Sequence, residues 1–404
     1  MDLTSSHPLW SMLDGLPHAY PRLHADARAD VVIIGGGVTG ALVAHALVGA
    51  GFDTIVVDKR EIGWGSTAAS TALLQYELDV PLVELRDTIG REHADRSYLA
   101  CCDAIERLAA IVATLPDDVG FRRSESVYLT AHRRDVRAQS KELEARREIG
   151  LAVEWAGRDE LRARYGIRDR AGAVVSAVGA EVDAYALAHS LFAAAVRSGA
   201  RVFARTNVES VEPSAGGVTV AVEGGATLSA RHAVFASGYE TKDFLGRRSP
   251  AKLVSTFAVA SEPGTVPRQW EDHPAVMWER ARPYLYLRRT PEGRVIIGGE
   301  DERFRSPHHR DALVVRKAKR LVERYRELFG DDARFDAAFA WAGTFGETKD
   351  GLPFIGAHSK WPSCQFALGY GGNGITFSVI AAEVIRDALL GRANPLAELF
   401  RFDR

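Results

Sequence analysis

The stretch Asp30–Lys59, DVVIIGGGVTGALVAHALVGAGFDTIVVDK, constrains the fold more than any other part of the chain. It reads as one complete βαβ unit. A buried-strand run, Val31–Ile34, enters Gly35-x-Gly37-x-x-Gly40. A helix of small residues follows over Ala41–Ala50, Gly51 stops it, and a second strand, Thr54–Val57, ends at Asp58. Gly35 permits the tight turn, Gly37 lets backbone N–H groups approach a pyrophosphate, and Gly40 lets the helix sit close to the strand. The helix N-terminus stabilises phosphate charge. Asp58 lies 18 residues beyond Gly40, where a carboxylate can accept both hydroxyls of an adenosine ribose. A lone GxGxxG is weak evidence; strand, helix, second strand and acid in this order point to a dinucleotide.

The 404 residues are enough for two or three domains. Lys+Arg 51 against Asp+Glu 53 leaves a net charge of −2, so no global field attracts polyanions and no nucleic-acid partner is expected. The locally basic segment 121–170 reads as solvated surface. Cys101, Cys102 and Cys364 form neither a disulfide framework nor a metal cluster, which suits a cytoplasmic location. The 12 histidines form no HxH or HxxxH set, so no metal is expected, and His308-His309 reads as a loop pair. No apolar run is long enough for a membrane span. The first 29 residues do not resemble a secretory signal and are expected to wrap the surface.

Beyond the βαβ unit the chain stops repeating it. The small-residue loop Glu61–Gln75 follows, carrying Gly65, Ser66 and Thr67. One or two helices are expected over 82–114, a strand in SVYLTA, and a charged helix over 133–148. Ala184–Ser198 reads as a helix; Arg201–Ala204, Val208–Val211 and Ala230–Gly238 read as strands with glycine hairpin turns between the last two. Lys252–Gly299 is β-rich, and a helix covers about 310–329. The block Phe339–Gly356, a strand Cys364–Leu368, a glycine loop and a helix over 375–390 close the chain. The absence of a linker predicts two interleaved domains.

A nicotinamide dehydrogenase usually continues with further βαβ repeats. A single N-terminal unit with a C-terminal glycine loop instead resembles the D-amino-acid-oxidase-like FAD oxidoreductases, the group of glycine, sarcosine and gamma-glutamylputrescine oxidases. The resemblance is strongest at Asp30–Gly40 with Asp58, at Gly65-Ser66-Thr67, at Ala236-Ser237-Gly238, and at Trp341–Gly356 with GYGGNGIT over 369–376. It implies an α/β protein, with an FAD-binding Rossmann-like domain (1–115, 171–250 and 335–404) interleaved with a mixed, largely antiparallel β-sheet substrate domain (116–170 and 251–334). Carried over residue by residue, it implies FAD contacts at Gly35, Gly37, Val38, Thr39, Gly40, Asp58, Lys59, Gly65, Ser66, Thr67, Val208, Ala236, Gly238, Gly343, Gly372, Asn373, Gly374, Ile375 and Thr376. The glycine loop 369–374 also fits GxGxxG, yet no strand and acid follow its helix. The helix start at Ile375 is better read as facing the flavin pyrimidine, where its partial positive charge would stabilise the reduced ring. The implied reaction is hydride transfer from an amine-bearing carbon to flavin N5, giving an imine that hydrolyses. The implied partners are a small amine or amino-acid substrate and oxygen or another electron acceptor.

Three departures from the family bear on that reading. The cysteine that tethers FAD in sarcosine oxidases aligns with Trp341, so the flavin is expected to be non-covalent. The arginine that clamps a substrate carboxylate in the glycine type aligns with Phe345. No lysine lies in Val295–Glu302, where a sarcosine-type oxygen-activating lysine is expected. Substrate recognition is therefore sought elsewhere. Tyr284, Tyr286 and Arg288 alternate and so share one sheet face, either the pocket or the outer side. Glu77, with Gln75, and Glu347 are candidates to hold an ammonium group, and Trp64 a candidate pocket wall. Two other readings remain at this stage: an aromatic-hydroxylase-like flavin monooxygenase, and an FAD-bearing electron-transfer subunit of a larger complex.

Overall fold

The computed structural model describes residues 4, 5, 7–241 and 251–404. The first elements are β1 (Thr4–Ser5) and α1 (Leu9–Asp14). The nucleotide unit follows as β2 (Ala27–Ile34), α2 (Val38–Gly49) and β3 (Thr54–Val57). Val31–Ile34 are buried as a run because β2 has a parallel neighbour on each side and a layer on each face. Each such side chain contributes about 1.5–3 kcal/mol relative to an exposed one. Helix α2 is apolar around its whole circumference (VTGALVAHALVG), the pattern of a helix buried on all sides. It packs between helices Ala184–Arg197 and Gly374–Leu389.

The chain then moves to a second sheet through α3 (Ser66–Ala69), β4 (Leu73–Gln75), α4 (Leu82–Ile89), α5 (Arg91–Val112), β5 (Arg122–Thr130), α6 (Val136–Glu148), β6 (Val153–Gly157), α7 (Arg158–Tyr165) and β7 (Gly172–Glu181). Helix α8 (Ala184–Arg197), capped by Asp183 accepting from the Tyr185 and Ala186 N–H groups, returns it to the first sheet. There it forms β8 (Arg201–Phe203), β9 (Val208–Ser214), β10 (Gly217–Val222) and β11 (Thr227–Phe235). A second excursion makes β12 (Ala251–Ser261), α9 (Arg268–Asp272), β13 (Ala275–Glu279), β14 (Leu285–Arg289), β15 (Val295–Arg303), α10 (Pro307–Phe329) and β16 (Ala337–Thr348). The chain closes in the first sheet with β17 (Phe354–His358), β18 (Trp361–Leu368) and α11 (Gly374–Leu389).

Among the described residues the first sheet runs β17-β18-β11-β2-β3-β8, with β10 and β9 added beyond β11. Its centre is parallel, as in other α/β nucleotide folds. The second sheet runs β1-β16-β12-β15-β14-β13-β5-β7-β4, with β6 on β7. Only its β13–β5 pair is parallel. The expected fold class, a Rossmann-like unit interleaved with a mixed, largely antiparallel sheet, is what the chain adopts.

The strand pairings redraw the expected division of the chain. Gly172–Glu181 and Ala337–Thr348, which the expected division places with the nucleotide unit, are strands of the second sheet, as are β1 and β4. Residues 242–250 of that grouping lie outside the described residues. The Trp341 block looks irregular in sequence because of its glycines, but strands on both sides hold it extended. Gly346 is needed there because a Cβ would come within 2.8 Å of the Tyr239 ring.

Candidate functional site

Where the two sheets meet, one continuous cavity of about 800 Å³ opens. That is near the upper end of the roughly 300–1,000 Å³ usual for small-molecule sites. One end is built from the nucleotide unit. Gly35, Gly37, Val38 and Thr39 at the β2–α2 turn line it, with Asp58 and Lys59 from the end of β3. The glycines are required by close approach. A Cβ on Gly35, whose φ is +120°, would lie 2.4 Å from the Ala236 carbonyl oxygen, and one on Gly40 would lie 1.9 Å from the Gly35 carbonyl oxygen. Gly40 does not line the cavity; it allows α2 to pack on β2. The N-cap residue of α2, Gly37, has no side chain to cap it; the Val38 N–H donates to Thr67 Oγ1 at 3.0 Å, bringing the 65–67 loop over the helix start.

Asp58 accepts from the Gly36 N–H at 2.7 Å and the Arg60 N–H at 2.7 Å. Burial pushes its carboxyl up, and those two N–H groups oppose the shift. Lys59 also borders the cavity, but its ammonium pairs with Glu240 at 2.7 Å, and Arg60 joins the same carboxylate at 2.9 Å. Burial alone would raise Glu240; the two cations instead hold it at about 2. Val208, Ala236 and Gly238 complete this end.

The middle of the cavity is closed by the chain's last glycine loop. Gly372, Asn373, Gly374 and Ile375 line it, together with Gly65, Ser66 and Thr67. Asn373 stands at the N-cap of α11, yet its side chain does not cap the helix. Its amide donates instead to the Gln75 and Glu77 carbonyls at 3.0 and 2.8 Å. Asp79 Oδ2 accepts from the Gly372 N–H at 2.9 Å. The 75–79 segment and the glycine loop are thus stapled together from both sides, and the start of α11 faces the cavity. Thr376 lies one residue past the lining and contacts the Gln75 carbonyl at 3.5 Å.

The other end belongs to the second sheet. Leu285 and Leu287 pack under α10, so strand alternation sends Tyr284, Tyr286 and Arg288 to the opposite face. Tyr284 and Tyr286 line the cavity with Gly343, Phe345, Glu347, Thr256, Asp79 and Asp301. Gly298 accommodates the Tyr286 ring, since a Cβ there would lie 2.4 Å from it. Tyr286 shares a hydrogen bond of 3.3 Å with Thr256, and burial pushes its hydroxyl up to about 12.

Several expected site residues are placed otherwise. Arg288 shares the tyrosine face but does not reach the cavity. It is 0% exposed, donates to the carbonyls of Thr71, Ala72 and Val182, and lies 3.5 Å from Glu181. Ala72, held at φ +55°, lines the cavity, so Arg288 acts on the wall from behind. Glu77 is likewise 0% exposed, paired with Arg146 at 3.0 Å and with Ser126 at 2.8 Å. The strand ends at Gln75, and the irregular segment Tyr76–Leu78 carries residue 77 into the core. Trp64 is 49% exposed and donates to the Tyr185 hydroxyl. Trp341 is buried and donates to the Ala69 carbonyl.

Asp79, Asp301, Arg280, Arg282 and Tyr239 also line the cavity and were not singled out from the sequence. They come from separate loops and strands, and no local spacing joins them. Alternation from Ile297, which faces α10, would send Asp301 to that same side; the irregularity in the β12–β15 register, with positive φ at Gly299 and Glu300, breaks the alternation before it. Among the described lining residues there is no cysteine or histidine, and Lys59, at the far end, is the only lysine. No helix among the described residues is long and apolar enough to cross a membrane.

Comparison with known proteins places this geometry. A family model described as FAD dependent oxidoreductase matches residues 30–388. Glycine oxidase of Bacillus licheniformis is 27% identical over 394 residues, covering 93% of this chain and 98% of that protein. The structure of glycine oxidase from Geobacillus kaustophilus superposes with a TM-score of 0.77 at 22% identity, covering 93% of this chain and 99% of that one. That of L-amino acid deaminase from Proteus myxofaciens superposes with a TM-score of 0.79 at 15% identity and 96% coverage of both.

Proposed function

The chain belongs to the FAD dependent oxidoreductase family, and on that basis we propose that it oxidises a C–N bond in a small amine or amino acid. One observation carries the reading. A single cavity joins a dinucleotide-binding turn to an aromatic wall of a second sheet, so cofactor and substrate have adjoining places. The residues fit FAD. The glycine cradle leaves room only for backbone beside Gly35, the open start of α2 suits a pyrophosphate, and Asp58 suits a ribose. The uncapped start of α11 suits an electron-rich ring edge. With no cysteine or histidine among the described lining residues, the cofactor is held non-covalently.

Bound there, FAD would supply the acceptor for the hydrogen and electron pair removed from the substrate. The protein supplies position and charge. Tyr284, Tyr286 and Phe345 form apolar surface that excludes water and favours the neutral form of the reacting amine by desolvation. Phe345 stands where, by the resemblance, the glycine type holds a carboxylate clamp, which supports amines over simple α-amino acids. The final electron acceptor is oxygen or another oxidant. Three free cysteines, two of them buried, suit a cytoplasmic setting.

Anaerobic mixing of the yellow holoprotein with amines, amino acids and NADPH tests the proposal. Bleaching by an amine or amino acid is expected. Bleaching by NADPH alone would favour a monooxygenase, and none at all an electron-transfer subunit; either overturns the reading.

A further inference from the structure

Three carboxylates reach the substrate end of the cavity from three different places: Asp79 after β4, Asp301 in β15 and Glu347 in β16. They do not form a metal-ligand group. Asp79 has a local task, accepting from the Gly372 N–H. Asp301 is different. Its Oδ1 is buried and has no hydrogen-bond partner, which is costly for an acceptor-only group unless something else meets it. Burial pushes the Asp301 carboxyl up to about 6; a hydrogen bond with Thr256 and the charge of Arg282 oppose the shift, and the charges of Asp79 and Glu347 add to it. Burial and Asp79 raise Glu347 as well.

The two arginines of this end offset the three acids only in part, and all three carboxyls stay raised. The Arg280 guanidinium is paired with Glu84, which is not among the lining residues, at 2.8 Å through Nη2. Arg282, exposed at the mouth, acts on all three acids and lowers each, but does not outweigh their burial. The interior therefore favours a cation. That cation cannot be the reacting nitrogen, because hydrogen leaves carbon when the adjacent nitrogen lone pair is free, and a carboxylate beside that nitrogen would keep it protonated. The aromatic wall and the acidic group thus suit two different nitrogens.

We infer that the substrate is an amine bearing a second, positively charged nitrogen, held by Asp301 with Glu347 and Asp79 around it, while the reacting nitrogen lies against Tyr284, Tyr286 and Phe345. Diamines and longer polyamines have this chemistry; glycine does not. The inference rests on the amine-oxidation reading, and the test separates the two.

The oxidised holoenzyme is titrated anaerobically with 1,4-diaminobutane, 1-aminobutane and glycine. The shift of the flavin absorption bands is read separately from their bleaching. The diamine is expected to bind at least tenfold more tightly than the monoamine, and glycine more weakly than either. Asp301→Asn should bring the diamine-to-monoamine ratio toward one, and Glu347→Gln should reduce it several-fold. The flavin spectrum of each variant reports whether it is folded. Equal affinities for the two amines, tightest binding of glycine, or a ratio unmoved in both folded variants would overturn the inference. A band shift without bleaching by the diamine keeps the recognition claim and removes the oxidation claim. Bleaching by glycine without any diamine preference does the reverse.

Discussion

The two ends of the cavity are built by opposite means. At the nucleotide end, backbone does the work. Glycines let chain approach chain, the N-cap residue of α2 is a glycine that makes no side-chain cap, and one side chain, Asp58, is fixed by its neighbours' N–H groups. At the substrate end, side chains from β14, β15, β16 and the 75–79 segment converge, and one of them, Asp301, keeps a buried oxygen without a hydrogen-bond partner. A backbone-built site depends on shape and tolerates no added atoms. A site built of side chains can exchange its chemistry while the strands beneath it stay in place. The first end should therefore fail outright when altered, and the second should change preference.

The sharpest contrast lies at Gly40. An alanine Cβ would meet the Gly35 carbonyl oxygen at 1.9 Å, and backbone cannot yield as a side chain does. Gly40→Ala should cost at least the roughly 1–3 kcal/mol of an overpacked core. The flavin-to-protein absorbance ratio after gel filtration should fall more than tenfold. Full occupancy would show that shape is less restrictive at this end than the contacts indicate.

Next come the two buried ionic residues behind the walls. Arg288→Met removes the buried cation beside Glu181 and frees three carbonyls; Glu77→Gln removes one of the two carboxylates on Arg146, which keeps Glu142 at 2.9 Å. Arg288→Met should lower stability by about 3–5 kcal/mol in urea unfolding, as for a broken buried pair, and Glu77→Gln by less. The ranking of substrates should stay the same. A change in ranking with stability intact would return either residue to the substrate site and blur the comparison.

A smaller effect is expected at Asp58. Asp58→Ala removes an acceptor whose bonds, as a charged group, are worth about 1.5–3 kcal/mol each. FAD should dissociate roughly ten- to hundredfold more readily on dilution. Undiminished retention would mean that the ribose is held by other groups, and that Asp58 serves only the Gly36–Arg60 turn.

The smallest effect, and the one that tests the exchangeable end, concerns Phe345→Arg. An arginine fork can pair with an α-carboxylate. The ratio of kcat/KM for glycine to that for a primary amine should rise about tenfold, the worth of roughly 1.4 kcal/mol. A wild type that prefers glycine, with Phe345→Arg inactive, would place the carboxylate partner elsewhere, and Arg282 is the cation at that mouth.

Sequence alone determined the nucleotide half. The Asp30–Lys59 unit, the strand Thr54–Val57, the helix Ala184–Arg197 and the final helix follow from local pattern, because glycine spacing and apolar runs act between residues that are near in the chain. The same logic placed Tyr284 and Tyr286 on one face and flagged Phe345 and Glu347 by position in a family block. Tertiary structure decided the rest. Gly172–Glu181 and Ala337–Thr348 are strands of the second sheet because partners far along the chain supply their hydrogen bonds. Arg288 and Glu77 were plausible ligands by alternation and by neighbourhood, but a buried charge goes where partners satisfy it, and theirs lie behind the wall. Asp79 and Asp301 became neighbours of the cavity only when two sheets met. Local sequence fixes which atoms a backbone turn can present; which distant side chains share a cavity depends on how the sheets pack, and no short-range pattern carries that information.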